Sequence, residues 1–178
     1  MRRIAISLGH NPDDQGAAFD GYTEYSSLAP LFGYLVSFLC YFDIQPYIVP
    51  TGSLTKKIEY INGKELDFAI ELHMNADMDG DQEGDPVADG CEMLYYDGSV
   101  QGERFARSIQ RSVVENFCIR DRGVKPEAQF SFLKRTNCPA IIAELGFIDD
   151  INEANMVRSN AAYLASLVAS GINSALLT

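Results

Sequence analysis

The sequence predicts an α/β fold: a single three-layer domain over residues 1–178, with a mostly parallel central sheet of about six strands flanked by helices. Three observations predict it. Short apolar runs of strand length alternate with stretches of helical period. Clusters of Gly, Pro and Asn punctuate them. No internal repeat, low-complexity tract or linker divides the chain, and 178 residues are enough to bury one core.

The first strand is expected over Arg2 to Leu8, which alternates and runs into Gly9-His10. Residues 25–42 carry a helical period, with Pro30 placed in the first turn or bending it. Ile44 to Val49 reads as a second strand, closed by Pro50-Thr51-Gly52. Ser53 is a candidate cap for a helix to about Glu65, weakened by Asn62-Gly63. Asp67 to Asn75, Gly90 to Tyr96 and Pro139 to Leu145 are buried strands, the last the most apolar. Between the last two lies a helix over 99–117, where Phe105, Ile109 and Val113 mark a core-facing stripe. A final helical region covers 151–177, broken near Ser159-Asn160.

Composition narrows the function. Twenty-five acidic against fourteen basic residues leave a net charge of −11, which repels nucleic acid and anionic lipid. Cys40, Cys91, Cys118 and Cys138 form no CxxC pair and read as reduced, mostly buried small hydrophobes. The apolar stretch at Leu31 to Phe42 is too short and interrupted to span a bilayer. The N-terminus lacks a signal-peptide core, so synthesis is expected in the cytoplasm.

Both histidines of the chain stand at strand ends: His10 after the first strand and His73 at the end of the third. Glu144 closes the last strand, and Glu24 stands just ahead of a helix. In open α/β sheets, ligands bind beyond the carboxyl ends of strands, so these four side chains converge on one edge. Spacing alone leaves two readings open, hydrogen-bonded structural histidines or a metal centre.

The surrounding residues add a resemblance. Ser7-Leu8-Gly9-His10, Thr23-Glu24, Glu71-Leu72-His73-Met74-Asn75 and Pro139 through Phe147 resemble, in order, signature blocks of the N-acetylmuramoyl-L-alanine amidase type 3 family. Gly90 to Tyr96, Arg122-Gly123-Val124-Lys125 and Leu133-Lys134-Arg135-Thr136 resemble its intervening blocks. The likeness runs from about residue 3 to 175. It implies a phosphorylase/hydrolase-like sheet, a Zn²⁺ cofactor held by His10, Glu24 and His73, and Glu144 as catalytic carboxylate. The substrate implied is peptidoglycan or a muropeptide, cut between N-acetylmuramic acid and L-alanine, with a phage or prophage endolysin as one setting. The chemistry agrees: two imidazoles and one carboxylate leave zinc a net positive charge and an open position for water. Glu144 would then serve that water as general base.

The chain departs from the family at Asn11-Pro12, where Gly-Gly is usual, and at Asp149-Asp150, where an asparagine is usual. Both departures are expected at the cleft rim. Glu71 shares a strand face with His73, either supporting that ligand or standing exposed. The acidic stretch 77–89 fits no calcium-loop frame and reads as a solvated loop beside the cleft. Two rival functions are a zinc peptidase on stem peptides and a non-catalytic wall-binding module. The first is disfavoured because thirteen residues separate His10 from Glu24, where a His-x-x-Glu pair is wanted. The second has little use for both histidines and Glu144 in metal-ready positions.

Overall fold

The computed structural model describes residues 1–77 and 88–177. The elements in chain order are β1 (Arg2–Leu8), β2 (Ala18–Phe19), β3 (Tyr22–Thr23), α1 (Glu24–Tyr41), β4 (Ile44–Ile48), α2 (Leu54–Asn62) and β5 (Phe68–Asn75). They continue with β6 (Cys91–Tyr96), α3 (Val100–Val114), β7 (Asp121–Glu127), α4 (Ser131–Arg135), β8 (Ala140–Phe147), α5 (Ile151–Ser159) and α6 (Ala161–Leu177). The main sheet has six strands in the order β4-β1-β5-β8-β6-β7. Its pairings are parallel except β6 with β8. The carboxyl ends of β1, β5 and β8 therefore meet the amino end of β6 at one edge.

The two faces of the sheet are covered unequally. On one, Ile4, Ile6, Ile70, Leu72, Ile141 and Ala143 join Leu28, Leu31 and Leu35 of α1, Phe105 and Ile109 of α3, and the apolar face of α6 in the main core. On the other, Ala5, Ala69, Ala140 and Ile142 form a smaller cluster with Val49 and Leu94, covered by Ile61 of the nine-residue α2 and Phe132 and Leu133 of the five-residue α4. Side chains alternate along a strand with a period of two. Moving on from those small apolar residues on the same face leads to Ser7, to Glu71 and His73, and to Glu144. The short helices run out where the polar residues begin, and a cleft opens there.

Local chemistry sets the boundaries. Thr23 caps α1 through its hydroxyl to the Ser26 N–H, in a reciprocal capping box with Ser26. The helix thus starts at Glu24, and Pro30 falls in its second turn rather than its first. The helix at 53 stops at Asn62 rather than Glu65, and α3 is shorter than the expected 99–117. β8 runs three residues beyond Glu144, and β5 two beyond His73, so neither residue is terminal. The break in the last helical region falls at Asn160. Cys40 and Cys118 are exposed, against the expectation of burial, whereas Cys91 is buried; all four thiols are free. Among the described residues no single helix is long and apolar enough to cross a membrane. Most of the acidic stretch 77–89 lies outside the described residues.

Candidate metal centre and cleft

His10 lies in the loop after β1, Glu24 opens α1 and His73 lies in β5, yet one ligand atom of each lies within 4.8 Å of the others. His10 Nε2 is 3.5 Å from Glu24 Oε1, and His73 Nδ1 is 3.3 Å from Glu24 Oε2. Ligands at ~2.0–2.1 Å around a tetrahedral zinc stand about 3.3–3.4 Å apart. The two histidine–carboxylate separations, each to a different Glu24 oxygen, are close to this, and the three-atom set as a whole is looser, within 4.8 Å. Glu24 is fixed from behind: its Oε1 accepts the Ala17 N–H at 2.9 Å and its Oε2 the Met74 N–H at 3.3 Å. It is also the first residue of α1, where the helix dipole favours a carboxylate. Burial opposes its ionisation, but the bonds from His73 and Ala17 hold its pKa below the ordinary value.

Two glycines make room for the cluster. A Cβ on Gly9 would lie 2.0 Å from His73 Cε1 and 2.4 Å from Nδ1, inside the ring's own space. A Cβ on Gly16 would lie 2.6 Å from His10 Cδ2 and 2.7 Å from Glu24 Oε1. The donor set, its spacing and these cradles all fit a zinc-sized cation.

Glu144 stands opposite His73 in the β5–β8 register and opposite Glu92 in the β6–β8 register. Burial above all, joined by the charges of Glu24, Glu92 and Glu71, raises its carboxyl to about 7 against the downward pull of His73. Glu92 is buried and held ionised by Lys125 Nζ at 2.5 Å and Arg122 Nε at 2.7 Å, which overcome the cost of its burial. For His73, burial opposes the charged ring, but its bonds to Glu24 and Glu71 and the charge of Glu144 raise its pKa to about 10.

Beside the cluster lies a cleft of about 630 Å³ lined by, among others, Asn11, Asp14, Ser53, Phe130, His73 and Glu144. Asn11 belongs to the rim as expected. Asp149 and Asp150 do not line it: Asp150 caps α5, and Asp149 Oδ2 accepts the Asp77 N–H at 2.6 Å. The structure thus brings together all four residues singled out in the sequence. It adds Lys57, which is buried in the cleft floor with Nζ bonded to Leu8 O at 2.5 Å, Gly9 O at 2.6 Å and Glu71 Oε1 at 3.0 Å. Its signal in the sequence was a lysine in the apolar stripe Leu54, Ile58, Ile61 of α2.

A cation-seeking cluster, a neighbouring carboxylate and an open cleft at the carboxyl edge of an α/β sheet are the equipment of a hydrolytic enzyme. Residues 4–174 match the family model described as N-acetylmuramoyl-L-alanine amidase, and the chain belongs to that family of peptidoglycan-degrading hydrolases. The N-acetylmuramoyl-L-alanine amidase CwlM of Bacillus licheniformis is 29% identical over 168 residues, covering 90% of this chain and 62% of CwlM. The endolysin of Bacillus phage SPP1 is 22% identical over 169 residues, covering 89% of this chain and 59% of that protein. The chain therefore spans about three fifths of the length of each. Among solved structures, the amidase AmiC2 of Nostoc punctiforme superimposes with a TM-score of 0.87, covering 99% of this chain and 98% of AmiC2. At 22% identity that likeness is one of fold.

Proposed function

We propose that the protein is a zinc-dependent amidase that hydrolyses the amide between N-acetylmuramic acid and the L-alanine of the stem peptide, with Glu144 as general base. The observation that carries this reading is the convergence of His10, Glu24 and His73 within 4.8 Å beside a cleft that also contains Glu144. A zinc ion held there supplies Lewis acidity, lowering the pKa of bound water from about 15.7 towards about 7 and polarising the scissile carbonyl. Glu144, mostly screened from solvent on the strand next to His73, is placed to take a proton from the attacking water. The same carboxyl is placed to return it to the departing alanine nitrogen. Asn11 and Phe130, which both line the cleft, would orient the substrate over that carboxylate.

Purified cell wall incubated with the protein and then labelled at new amino termini tests the reading. New L-alanine termini with wild type and none with Glu144→Gln support it. Termini on another residue would make the protein a stem-peptide peptidase, and wall binding without new termini a binding module. We extend the proposal to a lytic setting after release from the cytoplasm, on the strength of the likeness to the SPP1 endolysin. Loss of turbidity when the protein is added to permeabilised bacteria supports that setting, and wall turnover without lysis argues against it.

A further inference from the structure

We propose that Glu71 is a positioning residue that fixes the tautomer and orientation of His73, and that Lys57 anchors Glu71 for this task. The inference rests on the zinc reading above and concerns what stands behind the ligand.

The ring of His73 is held between two carboxylates. Its Nδ1 faces Glu24 Oε2 at 3.3 Å, on the side of the ligand cluster, and its Nε2 faces Glu71 Oε2 at 3.5 Å. Without a cation both carboxylates favour a proton on the nitrogen they face. With a cation on Nδ1 the ring is neutral, and an ionised Glu71, which only accepts hydrogen bonds, holds the remaining proton on Nε2. That tautomer leaves the Nδ1 lone pair directed at the cluster. Metal-bound histidines generally need such a partner on the far nitrogen.

Glu71 is itself held on its other oxygen. Its Oε1 accepts from Ser7 Oγ at 2.9 Å and from Lys57 Nζ at 3.0 Å. Both charged residues are buried, each with a side chain 4% exposed. Lys57 also bonds the carbonyls of Leu8 and Gly9, tying the pair to the segment that leads to His10. Two buried charges are costly to keep, and a pair of apolar residues often serves stability as well or better. A carboxylate aimed at the back of a ligand gives this pair a use that stability does not.

Two variants separate the positioning role from a folding role. Glu71→Gln is isosteric, but its amide oxygen is drawn to Lys57 and Ser7, so its NH₂ faces His73 Nε2. That donor favours the wrong tautomer, with the proton on Nδ1. The double variant Lys57→Met with Glu71→Leu removes both charges together and leaves neither buried alone. Zinc affinity is measured by competition with a chromophoric chelator. The protonated nitrogen of His73 is read in the zinc-loaded protein from long-range ¹H–¹⁵N correlations, which are simple because the chain has two histidines. Folded variants that bind zinc about 10–100-fold more weakly than wild type, with the His73 Nε2–H resonance of Glu71→Gln shifted away from its carboxylate-bonded wild-type position, support the inference. Folded variants with wild-type zinc affinity and an unchanged His73 signature overturn it while leaving the zinc reading intact. Wild type that binds no zinc overturns both.

Discussion

Gly9→Ala adds one methyl group where the structure has no space for it. Gly9 has no left-handed backbone, so alanine is conformationally allowed there, and the Gly9 N–H keeps its bond to Leu72 O at 2.9 Å. The new carbon would nevertheless stand 2.0 Å from His73 Cε1, 2.2 Å from Nε2 and 2.4 Å from Nδ1, where ordinary contact begins at 3.4 Å. The ring must retreat by 3.4 − 2.0, about 1.4 Å, whereas metal–ligand bonds tolerate about 0.2 Å. His73 is then lost as a ligand. Zinc affinity should fall by more than the ~100-fold that loss of a supporting partner costs. Chelator competition gives the affinity, wall digestion the activity and urea unfolding the integrity of the fold. We expect a folded protein, nearly free of zinc and inactive. A folded Gly9→Ala variant with wild-type zinc content and activity would refute the placement of His73 in the centre.

Glu144→Gln should lower the rate of wall hydrolysis by about 10²–10⁴-fold, the usual contribution of a general base, with zinc content unchanged by metal analysis. The same variant has a stability signature in metal-free protein. Burial raises the Glu144 pKa from 4.5 to about 7, so the folded state holds its proton more tightly than the unfolded chain. The associated stability is complete below about pH 4.5 and is lost as pH rises through about 7, up to about 3 kcal/mol in all. Glu144→Gln cannot lose it, so the variant should melt above wild type at pH 8 and level with it at pH 4; equal melting at pH 8 would argue against a buried carboxylate there. Glu153→Ala should cost about 2–4 kcal/mol in urea unfolding, because Glu153 accepts the Phe147 N–H at 2.8 Å and the Gly90 N–H at 2.7 Å. An unchanged urea midpoint would show that water replaces both bonds. Chelator treatment should abolish wall hydrolysis and added zinc restore it; activity that survives exhaustive chelation contradicts the metal requirement.

The central strands were legible because they are buried on both faces and read as mostly apolar runs, as at Phe68–Met74 and Ala140–Phe147, interrupted by Glu71, His73 and Glu144. β7 was not, because its segment Asp-Arg-Gly-Val-Lys-Pro-Glu is polar and pairs only with β6. As an edge strand it buries too little to show a period. α4, at five residues, is too short to carry a helical period. The β2–β3 hairpin did have a signal in Asp20-Gly21, whose positive φ values of 49° and 77° suit a tight hairpin turn. His10, Glu24, His73 and Glu144 were visible as candidates at or near element ends, but their spacing left structural histidines and a metal centre both open, and the resemblance to the amidase family supplied their roles. Lys57 and the burial of Glu71 were not visible, because their pairing depends on how α2 crosses the sheet. Sequence period gives the face of a helix but not its crossing.

Anomalous diffraction at the zinc edge from crystals of the wild-type protein is the most direct test of the centre. One zinc peak is expected within about 2.0–2.2 Å of a nitrogen of His10, a nitrogen of His73 and a carboxylate oxygen of Glu24, with Glu144 facing the open side. A zinc-loaded crystal with no peak among those three side chains, or with its peak elsewhere, contradicts it.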